Sequence, residues 1–172
     1  MELELIPTKQ IRFTKPTRLL VCDPCYFFDN KNSDHDFLWQ DMCEMMYTEE
    51  GKAKGLDSTG ICKIGNLQFL YTGTAWGDGV YPVGCSIPNK GQHNIGVDAG
   101  LICAVDLDEV MKFNPGFDAE SMGAIFPGFV GVVDVDGEGM MTGDRGLEVD
   151  TIGNEDEDED EDEDEGLSTD GF

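Results

Sequence analysis

Basic residues are scarce in this chain. Lysine and arginine together number 11 against 36 aspartates and glutamates, and the net charge is −25 over 172 residues. A surface of that sign repels phosphate backbones and anionic membranes. The charge therefore speaks against direct nucleic-acid binding and membrane attachment, and for a basic partner. There are only two histidines, His35 and His93, so residue order shows no Ser-His-Asp or Cys-His arrangement. No stretch reaches the roughly 18 consecutive apolar residues that a membrane-spanning helix needs. The opening Met-Glu-Leu-Glu-Leu has neither the basic nor the apolar region of a secretory signal. The expected location is the cytoplasm, that of a bacterial host if the chain is phage-encoded. Without a signal, the six cysteines are expected as reduced, buried thiols rather than disulfides.

Glycine is plentiful at 22 residues, with seven prolines, which favours many short strands over long helices. Glu and Leu alternate over residues 2–6, the pattern of a half-buried strand. Extended chain is expected over residues 9–21, interrupted at Pro16 and ending in the apolar Leu19-Leu20-Val21. Lys9, Arg12, Lys15 and Arg18 fall in this stretch with no acid between them. They form either a solvated strand face or a basic patch for an anion, the chain's own tail included. One main helix is expected over Phe37–Thr48, with Leu38, Met42, Met45 and Met46 on one side, Asp36 as N-cap, and Gly51 and Gly55 ending it. Further strands are expected at Gly60–Ile64, Leu67–Thr74, Val80–Ser86, Leu101–Asp106 and Leu147–Ile152. A helical turn is expected over Asp108–Phe113, and a hairpin around Asp136-Gly137 joining Gly128–Asp136 to Gly139–Thr142. The fold class is β-rich α+β: a twisted antiparallel sheet or sandwich spanning residues 1–153. Residues 154–172 form an acidic tail that cannot fold alone, because it repels itself and offers nothing to bury.

Several motifs suggest chemistry without completing it. Cys22 and Cys25 form a C-x-x-C after a strand, but the residues that follow do not make a convincing helix to lower a thiol pKa. The other four cysteines stand singly, so no close pair completes a zinc site. Asp134, Asp136 and Glu138 match the early positions of a calcium loop, yet Arg145 occupies the twelfth. No metal, cofactor or catalytic residue is assigned. Two carboxylates, Asp23 and Asp78, could serve acid–base chemistry with Cys25 only if the fold brings them together.

Asp23-Pro24-Cys25-Tyr26, a segment containing Trp39, Gly77-Asp78-Gly79-Val80-Tyr81-Pro82-Val83 and Val97-Asp98-Ala99-Gly100-Leu101 occur in this order. That order resembles a family of small bacterial and phage proteins with DPCY and GDGxYPV motifs and no established activity, of the DUF4241 type. The resemblance spans about residues 19–110. It implies a compact β-rich domain, with Asp23, Pro24, Cys25, Tyr26, Gly77, Asp78, Gly79, Tyr81 and Pro82 as structural signature positions. Cys22 lies outside the motif.

The tail runs Glu155, Asp156, Glu157, Asp158, Glu159, Asp160, Glu161, Asp162, Glu163, Asp164 and Glu165, and the sequence closes on Phe172. Without these eleven acids the remaining chain still carries about −14. Acidic tails closed by Phe resemble those of single-stranded DNA-binding proteins, which implies partner recruitment. The leading expectation is a non-enzymatic, DNA-mimic-like binding or regulatory protein. Its acidic surface and tail, through Glu155 to Glu165 and Phe172, would engage a basic protein, a nucleic-acid-handling one among the candidates. The alternatives are a single-stranded nucleic-acid binder with an autoinhibitory tail, a small enzyme using Asp23, Cys25 and Asp78, and a structural or virion protein.

Overall fold

In the run Leu19-Leu20-Val21-Cys22 every residue is buried, which requires a strand covered on both faces. The computed structural model, which describes residues 2–28 and 39–154, supplies that cover. Its strands are β1 (Leu3–Ile6), β2 (Gln10–Cys22), β3 (Thr59–Ile64), β4 (Leu67–Gly73), β5 (Gly79–Pro82), β6 (Lys90–Gly91), β7 (Asn94–Val97), β8 (Leu101–Asp106), β9 (Ala124–Val135), β10 (Met140–Gly143) and β11 (Glu148–Asp150). The main sheet runs β1-β3-β4-β8-β2-β9-β10-β11, with β6 pairing beside β9, and every pairing is antiparallel. β5 and β7 form a separate two-stranded sheet. The fold is the β-rich α+β class that the composition predicts.

Alternation along the central strands sorts the core into two halves. Leu20, Cys22, Cys62, Phe69, Tyr71, Cys103 and Val105 face the helices. Leu19, Val21, Ile61, Leu70, Ile102 and Ala104 face the β5–β7 pair and the curl of β9 to β11. The helical layer consists of α1 (Trp39–Met46), α2 (Glu49–Ala53), α3 (Leu107–Phe113) and α4 (Ala119–Met122), with a 3₁₀ turn at Pro24–Phe28. That turn drives Phe27 and Phe28 into the helix-side core. Phe27 meets Phe69 edge-on with ring centroids 5.3 Å apart, and Phe28 packs against Trp39 and Phe113. Phe27→Ala is expected to cost about 3–5 kcal/mol, read as a lowered urea midpoint at unchanged slope.

The predicted helix differs in its ending. Its start, with Asp36 and Leu38, lies outside the described residues. From Trp39 the helix stops at Met46, and Gly51, expected as a terminator, lies inside α2. The cause is Thr48, whose hydroxyl accepts from Gly51 N at 2.9 Å and opens a new helix. A Cβ on Gly51 would stand 2.6 Å from Met45 O, so α2 folds back closely on α1. Met42 and Met46 are core, while Met45 is partly exposed. Strand β2 continues through Pro16, which sits where the register with β9 shifts between Phe13 and Thr17. The strand expected over Val80–Ser86 ends at Pro82, and Gly84 only bridges to Glu148.

Candidate functional site

Asp23 is fully buried where β2 ends. Its Oδ1 accepts from Cys25 N at 2.9 Å, which forms the turn that starts the 3₁₀ segment. Its Oδ2 accepts from Asp98 N at 2.9 Å and Ala99 N at 2.7 Å, across 75 residues of chain. Tyr26 Oη donates to Asp98 Oδ2 at 2.7 Å, closing the same junction from outside. Burial raises the Asp23 pKa above 3.8, and the N–H donors at Cys25, Ala99 and Asp98 oppose that shift.

The third motif joins through Gly100. Gly100 O accepts from Thr74 N at 2.9 Å, and the Thr74 hydroxyl donates to Gly77 O at 2.7 Å. Tyr81 Oη donates to the same Gly77 O at 2.9 Å. Gly77 and Gly100 both have φ near 75°, a conformation that disfavours a side chain, and their loops pack face to face. Asp23-Pro24-Cys25-Tyr26, Gly77-Asp78-Gly79 with Tyr81, and Asp98-Ala99-Gly100 thus form one interlocked corner between the sheet and the β5–β7 pair.

The polar groups of the corner are taken up in holding its loops together. Pro24 is buried in the 3₁₀ turn, Gly79 opens β5, and Pro82 ends β5 exposed at its edge. Asp78 is exposed, and neither a hydrogen bond nor an ion pair joins it to Asp23 or Cys25. Cys25 is half-buried, and burial followed by the Asp23 charge pushes its thiol well up, away from the thiolate a nucleophile needs. Burial and then Asp98 do the same to the Tyr26 hydroxyl. Cys22 is fully buried opposite Cys103 in the β2–β8 ladder. All six cysteines are free thiols. The calcium-like loop is a hairpin turn. Burial opposes ionisation of Asp136, but the N–H groups of Glu138, Met140 and Gly139 together outweigh it and hold its carboxyl below the usual value. No group of side chains suited to hold a metal occurs among the described residues.

A second locus lies where the acidic run begins. Thr151 Oγ1 donates to Gly139 O at 2.7 Å and accepts from Ala75 N at 2.9 Å, fixing the last described segment against the β9–β10 turn. Beside it Trp76 Nε1 donates to Ile152 O at 3.1 Å, yet the indole is 45% exposed and Ile152 40% exposed. Val80, on β5 four residues beyond Trp76, is 63% exposed. Sequence reading passed over Trp76 as an anchor and missed Thr151. An aromatic inside a glycine-rich turn was the available signal for Trp76. Glu155 to Glu165 and Phe172 lie outside the described residues.

Comparison with family models, with curated proteins and with solved structures finds no match. Among the described residues no helix is long and apolar enough to cross a membrane.

Proposed function

We propose that this chain is a non-enzymatic binding protein that engages a basic protein through its acidic surface and the run Glu155–Glu165. The observation that carries this reading is the juxtaposition at the end of β11. An exposed, hydrogen-bonded Trp76 with Ile152 stands three residues before eleven consecutive acids. Exposed apolar residues in one spot mark contact surfaces, and a rigid aromatic is the commonest energetic anchor of an interface. Charge beside it speeds encounter and selects a cationic partner. The interlocked corner supports the reading from the other side. Its carboxylate is taken up by backbone donors and its thiol is held protonated, so the chemistry of Asp23 and Cys25 goes into holding loops.

The test compares the full chain with a version ending at Gly153 and with Trp76→Ala as baits in bacterial lysate at low and moderate salt. The reading expects a discrete basic protein retained at low salt by the full chain and weakened in both variants. Equal retention by all three, or retention unaffected by salt, would overturn it.

A further inference from the structure

Three cations in one short stretch, Lys9 just before β2 and Arg12 and Lys15 on it, form no ion pair in a chain overloaded with acid. Among the described residues the ion pairs are Arg18–Asp108, Lys54–Glu50 and Lys112–Glu109. Lys9, Arg12 and Lys15 are exposed and belong to none of them. The acids nearest them accept from neutral groups and form no ion pair with them. Asp134 accepts from the Gln10 amide at 2.7 Å, Asp136 from its own turn, and Asp144 from Val132 N at 2.8 Å.

The first of these cations also lies beside the place where the acidic run leaves the fold. Lys9 Nζ lies 3.7 Å from where a Cβ on Gly137 would stand. Two residues along the same turn, Gly139 holds Thr151, three residues before Asn154. From there β2 carries Arg12, opposite Val132, and then Lys15 in the irregular stretch between Phe13 and Thr17. Lys9 to Lys15 spans about 20 Å of extended chain, and eleven acidic residues reach about 36 Å. The acidic run is therefore long enough, and starts close enough, to lie along all three.

We propose that the acidic segment Glu155–Glu165 docks in cis along β2, against Lys9, Arg12 and Lys15. This contact rests on reading the run as a binding element and adds a regulatory layer to it. A partner's cations would have to displace the protein's own, so the intrinsic strand sets a threshold that weakly basic proteins do not pass. The negative charge elsewhere on the body keeps the contact reversible and sensitive to salt.

The test uses the ¹⁵N-labelled full chain alone, with no partner present, so it can fail while partner capture succeeds, and the reverse. Amide spectra are recorded at about 20 mM and about 300 mM salt, where the screening length falls severalfold. Wild type is compared with a variant whose residues 155–165 are all changed to Gln or Asn, and with Lys9→Gln/Arg12→Gln/Lys15→Gln. At low salt the amides of residues 9–17 should differ between wild type and the neutralised run. The difference should vanish at high salt and in the triple variant, and should be independent of protein concentration. Identical β2 amides in wild type and the neutralised variant would overturn the proposal. So would shifts centred on Lys52 and Lys54, or shifts that grow with concentration, which would place the segment on a second copy. Because the neutralised variant leaves the described fold untouched, the result does not depend on the triple variant folding.

Discussion

Asp23→Ala is expected to lower stability by about 3–5 kcal/mol, the range for removing a buried, hydrogen-bonded charge and leaving its partners unsatisfied. Cys25 N, Asp98 N and Ala99 N would all lose their acceptor at once. Two of these belong to a turn 75 residues away, so the damage should spread from the 3₁₀ segment to the β5–β7 pair. Urea unfolding measures it, with Asp78→Ala as control. Asp78 is exposed, and its loss should stay within about 0.5 kcal/mol. A loss within about 0.5 kcal/mol for Asp23→Ala as well would contradict the role of its carboxylate in holding the corner.

The same residue sets a pH dependence. Burial raises the folded pKa of Asp23 above its ordinary 3.8, and burial does the same to Asp106. A group raised in the folded state contributes stability that is fully present below its unfolded pKa and lost as pH rises through the folded one. Asp136, lowered in the fold, contributes in the opposite sense and loses its share as pH falls. Relief of repulsion among the excess acids adds to the first trend. Stability should therefore rise as pH falls through the raised folded pKa of Asp23, and Asp23→Asn should flatten part of that rise.

Neutralising Glu155–Glu165 is expected to slow association with the basic partner by about 10²-fold at low salt, the span that electrostatic steering commands. Dissociation should change less, because Trp76 and Ile152, the proposed anchors, remain. Trp76→Ala should show the converse, with a nearly normal association rate and faster release. Stopped-flow mixing of purified partners separates the two rates. Equal loss in both rates for both variants would mean that anchor and charge are not distinct elements.

Local pattern was enough for β8, expected and found at Leu101–Asp106, because a continuous apolar run bounded by glycine and a charge has few other uses. The hairpin at Asp136-Gly137 was legible for a similar reason, since its carboxylate and glycine encode the turn by themselves. The ending of the methionine helix was not. Thr48 reads as one more helical residue until its hydroxyl is seen capping Gly51. The Asp23 corner was half legible. The motifs were visible in order, but their meeting depends on a hydrogen bond spanning 75 residues, which no local pattern encodes. β7 escaped because its partner, β5, lies across a loop that has no periodicity of its own. Thr151 escaped because one buried hydroxyl carries no sequence signal at all.

The most direct measurement is the affinity of the captured basic partner for the full chain, followed across ionic strength and compared with the neutralised run. A binding element at Glu155–Glu165 requires tight binding at low salt, steep weakening as salt rises, and a shallower slope once the run is neutral. An affinity indifferent to salt and identical in the two proteins would contradict it.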